Sequence, residues 1–142
     1  MALAVALLAA GCSRQEPATV PAGCRAGAEA VMGALARAPG EVTVEGTPLS
    51  SCLVPESEAV YVQEIGSVYL SVASRLANEA RADPQGRAAT QLGYLMGAVR
   101  RGAGRTQGIH SEILRRLEQE LAIVDTRSPA YLRGERAGHK GG

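Results

Sequence analysis

Few residues in this chain carry reactive side chains, and their spacing limits what they can do. There are three cysteines, Cys12, Cys24 and Cys52, and two histidines, His110 and His139. A structural zinc site takes four Cys or His ligands, commonly from closely spaced pairs. Cys24 and Cys52 have no CxxC partner and the histidines lie far from them, so no metal-ligand set is expected. The run His110-Ser111-Glu112 holds three groups used by hydrolases. On a helix, however, successive side chains point about 100° apart and do not face one another. A base has to lie within hydrogen-bond reach of its nucleophile; adjacency alone does not place it there. An exposed or helix N-terminal histidine is the ordinary alternative for His110. No GxSxG elbow, phosphate-binding loop, dinucleotide fingerprint or HExxH pattern is present, and Gly102, Gly104 and Gly108 follow no strand and precede no Lys-Ser/Thr pair. No catalytic residue and no cofactor are assigned.

The N-terminus is more specific. Residues 2–10 form nine consecutive apolar residues, too short a run to span a bilayer as a helix, which needs about 20. This is the length of a signal-peptide apolar region followed by small residues. The segment Leu7-Leu8-Ala9-Ala10-Gly11-Cys12 resembles the lipobox of bacterial lipoproteins, carried by Ala9, Ala10, Gly11 and Cys12. The resemblance implies that residues 1–11 are a signal peptide and that a diacylglycerol is attached to Cys12. It also implies a protein anchored in a cell membrane and facing the extracytoplasmic side, the periplasm or the cell exterior. Two or more acyl chains hold a protein stably, at ~0.8 kcal/mol per buried methylene. The other reading, a buried N-terminal helix, sits poorly with the polar Ser13-Arg14-Gln15-Glu16-Pro17 that follows. With Cys12 lipidated and the chain exported, Cys24 and Cys52 are left as an even pair in an oxidising compartment, where a disulfide is expected. Two buried thiols are the alternative.

Composition sets further bounds. The chain has no Phe, no Trp and four Tyr, so Ala, Val, Leu and Gly must fill the core by close packing. Residues 12–83 carry five basic and nine acidic side chains, and residues 84–142 carry ten and five, net −4 and +5. Such an imbalance can orient a domain on an anionic membrane or dock an acidic partner, and is otherwise a solvated face. The pairs Arg100-Arg101 and Arg115-Arg116 have no aromatic platform beside them, and no nucleic-acid partner is expected.

The elements follow from periodicity. Residues 12–21, with Pro17 and Pro21, read as a tether. A helix is expected over 25–38, then over 41–45 either a short strand, whose only evident partner is 18–20, or an extended connection, and a helical turn over 49–54 carrying Cys52. Pro55, Glu56 and Glu58 suggest a helix start. That helix runs to 82 on a face of Val62, Ile65, Tyr69, Val72 and Leu76, widened by Val60, Tyr61, Val68 and Leu70; it is expected to be central. Asp83 is a plausible cap for a helix over 87–101 built on Ala88, Leu92, Leu95, Met96 and Val99. Its Gly93 and Gly97, one turn apart, suggest close helix packing. A further helix over 109–124 carries Ile109, Ile113, Leu117, Leu121 and Val124, with Arg116–Glu120 and Arg115–Gln119 within reach of each other on the surface. Residues 126–142, with Pro129 and four glycines, read as a mobile tail from which Tyr131 and Leu132 could dock back.

The expected fold is all-α: a small irregular antiparallel bundle of about four helices over 22–125, with one disulfide and disordered ends. The expected function is a non-enzymatic binding or interaction module of the cell envelope. It meets the membrane through its lipid and an unidentified protein or envelope ligand through its surface. The alternatives are an envelope hydrolase using His110 with carboxylates brought in by folding, or a passive structural homodimer.

Overall fold

The computed structural model describes residues 20–55, 57–104 and 106–142. The expected signal segment, Cys12 and most of the expected tether lie outside them. The fold is all-α, with five α-helices among the described residues: α1 (Gly27–Leu35), α2 (Ala59–Ala82), α3 (Arg87–Ala103), α4 (Ile109–Glu120) and α5 (Pro129–Gly141). No helix of the described residues is long and apolar enough to cross a membrane.

The first third is held by short elements. A 3-10 turn, Ala22–Arg25, leads into α1, and a second, Leu49–Cys52, precedes α2. Cys24 and Cys52 form a disulfide with a Cα–Cα distance of 5.4 Å. The expected helix over 25–38 is therefore shorter, because Gly27 takes a positive φ of 83° at its start. The expected strand finds its partner at once: β1 (Thr43–Val44) pairs antiparallel with β2 (Thr47–Pro48). Glu45 and Gly46 form the two-residue loop, with φ 49° and 77°. Positive φ at both positions is the hairpin turn whose twist matches the strands.

The apolar face of α2 is as its spacing predicts: Val62, Ile65, Tyr69, Val72 and Leu76 are all buried. Val60 is not part of it, being 64% exposed. Tyr61, Val68 and Leu70 are half-buried against the core as expected, and Gly66, Ala73, Ala77 and Ala80 complete the buried sector. Pro55 precedes the helix, whose cap position is Glu58. Asp83 closes α2 rather than opening α3: Gln85 N donates to its carboxylate, and the cap of α3 is Gly86.

The centre of the molecule is α3, not α2. Residues Leu92 through Val99 are buried on every side of the helix, as expected of a helix enclosed by neighbours. What encloses it is the segment expected to be a mobile tail. Residues 129–141 form α5, with Ser128 Oγ accepting from Tyr131 N at 3.2 Å and Pro129 in the first turn. Serine at the cap with proline just inside is a helix-start signal, so Pro129 begins this helix rather than breaking one. The glycines make the contact. A Cβ at Gly134 or Gly138 would run into the carbonyl oxygen of Thr90 or Tyr94, and one at Gly93 or Gly97 into that of Tyr131 or Glu135. Backbone therefore meets backbone, the close approach that small residues four apart allow. The register, Thr90 with Gly134 and Tyr94 with Gly138, makes α3 and α5 parallel neighbours within the bundle.

Tyr69, Tyr94 and Tyr131 are the largest fully buried side chains. Tyr69 Oη donates to Leu49 O at 3.0 Å, tying α2 to the second 3-10 turn. The remaining tyrosine, Tyr61, is half-buried beneath the Arg25 guanidinium, 5.1 Å from its ring centre, a cation–π contact.

Candidate functional site

The run His110-Ser111-Glu112 is taken apart by the start of α4. His110 is buried with Nε2 3.1 Å from Val54 O. Ser111 Oγ donates back to Gly108 O at 2.8 Å. Glu112 accepts from Arg115 at 2.9 and 2.8 Å and from Arg116 at 2.7 Å. The three groups point to three different partners, none of them one another.

Arg115 and Arg116 thus turn back to Glu112 instead of pairing forward with Gln119 and Glu120. Their hydrogen bonds, Arg115 first and Arg116 second, hold the Glu112 carboxyl at about 2 instead of the ordinary 4.5. Because the folded value is the lower one, the arrangement favours the fold above pH 4.5 and loses that contribution as pH falls towards 2. A carboxyl-carbon NMR titration should find the Glu112 midpoint well below those of the chain's unpaired glutamates. It should move back upward in 1 M NaCl, since the site is open to screening. A midpoint at the ordinary glutamate value in low salt would refute the pairing.

Two arrangements remain that sequence spacing did not single out. The first is an open cleft of about 420 Å3 lined by Arg100, Glu118, Leu121, Ala122, Thr126, Tyr131 and Glu135. The close approach of α5 at Gly97 brings Glu135 against the last turn of α3. There Arg100 Nη1 donates to Glu135 Oε1, while Nε and Nη2 donate to Glu118 Oε1 at 3.3 and 3.2 Å. Tyr131 is 1% exposed, and its hydroxyl is buried without a hydrogen-bond partner among the described residues. Burial pushes its pKa up to about 12, against the pull of the Arg100 charge, so it is neutral over the whole working range of pH. Arg100 is already spent on two carboxylates and the hydroxyl is sealed from solvent. The cluster pins α5 to α3 and α4 and leaves no free reactive group.

The second is the outward face of α5. Its packed side is Ala130, Tyr131, Gly134 and Gly138; at 100° per residue the opposite side holds Arg133, Arg136, His139 and Lys140, all exposed. Glu135 is the one acid in α5 and is turned to Arg100. Among the described residues no ion pair involves Arg133, Arg136 or Lys140. The face extends sideways onto α3. Arg87 and Arg133 line one groove, and Arg101 Nη1 donates to Lys140 O. One acid is near that edge, since Tyr94 feels the charges of both Glu41 and Arg101. All the ion pairs among the described residues join side chains from the same half of the chain: Arg25 with Glu64, Arg75 with Glu29 and Glu79, Arg100 with Glu118 and Glu135, and Arg115 and Arg116 with Glu112. Folding therefore leaves the positive excess of residues 84–142 uncancelled and gathers part of it on one helix.

The sequence matches no protein-family model, and comparison with curated proteins and with solved structures finds no match.

Proposed function

We propose that this chain is a lipid-anchored, non-enzymatic interaction module of the bacterial cell envelope, tethered through Cys12 on the extracytoplasmic side of a membrane. The observation that carries the interaction reading is the single-signed outward face of α5, where Arg133, Arg136 and Lys140 stand exposed with no acidic partner among the described residues. A helix face of one sign attracts partners and surfaces of the opposite charge. The lipobox-like Ala9-Ala10-Gly11-Cys12 supports the anchor, and the Cys24–Cys52 bond fits a chain matured in an oxidising compartment. A hydrolase built on His110 would need a carboxylate beside that ring, and its partner is a backbone carbonyl.

The anchor is tested by intact-mass measurement of the protein extracted from its native membrane. The expected mass is that of residues 12–142 plus diacylglycerol on Cys12, less the two hydrogens of one disulfide. A mass equal to the unprocessed, reduced chain would overturn both anchor and compartment.

A further inference from the structure

We infer that the basic face of α5 rests on the anionic phospholipid surface of the membrane to which the chain is tethered. This rests on the interaction reading above and names its partner.

Charge is the first argument. Arg133, Arg136 and Lys140 are spaced three and four apart, so one straight stripe presents all three to a flat surface, with His139 beside them. Arginine and lysine near an anionic leaflet each gain from its surface potential, and the gain grows with the number of charges that reach the surface together. A flat array of headgroup phosphates suits a flat stripe. The two grooves that border it, one lined by Arg136, His139 and Glu135 and the other by Arg87 and Arg133, are open to solvent and do not enclose a small anion.

Position is the second. The C-terminal end of α5 touches the second 3-10 turn, where Ser50 Oγ donates to Gly142 O. That turn is bonded through Cys52 to Cys24. Cys24 belongs to the 3-10 turn that begins the fold at Ala22, directly after the tether. The tether therefore joins the molecule at the same end as Lys140. Ten residues reach at most about 35 Å when extended. Linkers this short give effective concentrations of about millimolar, so an affinity too weak to hold the free domain suffices once Cys12 is anchored.

The test uses residues 12–142 carrying Cys12→Ser, so that neither a lipid nor the apolar residues 2–10 contribute, and measures partitioning onto vesicles of phosphatidylcholine with and without phosphatidylglycerol. Binding is expected to require phosphatidylglycerol and to vanish in 0.5 M NaCl. Arg133→Gln, Arg136→Gln and Lys140→Gln together should lower the partition coefficient about 100-fold. The comparison variant, Arg75→Gln, Arg115→Gln and Arg116→Gln, removes the same net charge from paired side chains on other helices, and it should change partitioning only about two- to threefold. Equal losses from the two triple variants would overturn the inference, because net charge alone would then account for binding. Equal binding to pure phosphatidylcholine would also overturn it. So would a preference for soluble polyphosphate over phosphatidylglycerol vesicles at matched phosphate, which would assign the face to a soluble polyanion. The outcome is independent of the mass measurement: a lipidated chain whose α5 ignores phosphatidylglycerol keeps its anchor and loses this partner.

Discussion

Gly134→Ala should destabilise the protein by about 3 kcal/mol, the upper end of the usual overpacking cost, and lower the melting temperature by about 10 °C. The single added methyl is aimed at the carbonyl oxygen of Thr90, with Tyr94 N just behind it. A flexible side chain could swing away from such a clash, but a helix backbone has no rotamer to change, so α5 as a whole must move off α3. Gly138 meets Tyr94 O in the same way one turn further on. The double variant should cost less than twice as much, because the displacement that relieves one clash partly relieves the other. Moving α5 also lifts Tyr131 and Glu135 away from Arg100, so the cleft network should disperse with it. Gly33→Ala is the control with the opposite sign. Gly33 lies exposed in α1 with nothing near its missing Cβ, and alanine there should stabilise by about 0.5–1 kcal/mol through helix propensity. Thermal melts of the three variants decide the matter; a Gly134→Ala protein that melts with the wild type would mean that α3 and α5 are further apart than described.

These glycines also explain what was legible in the sequence and what was not. The face of α2 could be read because large apolar residues repeat there at helical spacing, and burial of each followed. In α3 the spacing of Leu92, Leu95, Met96 and Val99 gave the helix but only one of its buried sides. The other is Thr90, Gly93, Tyr94 and Gly97, where only Tyr94 carries an apolar surface large enough to announce burial. In α5 the same chemistry was misleading. Gly134, Gly138, Gly141 and Gly142 have the composition of a mobile segment, and only the close approach of Gly134 to Thr90 and of Gly138 to Tyr94 gives two of them another meaning. The start signal Ser128-Pro129 was present, as was the matching four-residue spacing of glycines in the two segments. The hairpin was hidden for a different reason. Its left-handed first loop position is Glu45, where Asn or Asp would have marked it. The basic face inherits this difficulty. Arg133, Arg136 and Lys140 form a stripe only once 129–141 is a helix, so a segment read as coil gives them no common direction. His110 was never going to be placed by spacing, since its neighbour Val54 comes from a loop more than fifty residues away.

Loss of the Cys24–Cys52 bond should cost about 3–4 kcal/mol and lower the melting temperature by roughly 10–15 °C. The bond closes a loop with a sequence separation of 28, and most of its effect lies in the entropy that the open loop regains when unfolded. The damage should be local in its first stage. Within the loop lie α1 and the β1–β2 hairpin, whereas α3 and α5 meet entirely outside it. Other contacts still hold the two ends of the loop: the Tyr69 bond to Leu49 O, the close approach of Gly102 to Ser50 O and that of Gly23 to Val44 O. Amide exchange in a Cys24→Ala, Cys52→Ala variant should therefore rise most over 22–52 and least over α3 and α5 at temperatures below the melt. Alanine is the appropriate replacement, because both cysteines are buried and serine would add hydroxyls to an apolar site. Cys12→Ser, in contrast, leaves the bond intact and should leave the melt unchanged. If reduction shifts the melt by no more than about 1 °C, the chain-entropy account of this staple fails, and the first third is held by its packing alone. If exchange instead rises evenly across all five helices, the loop and the bundle unfold as one unit. The α5 face would then depend on the redox state of a bond at the far end of the chain sequence, through the turn that touches Gly142.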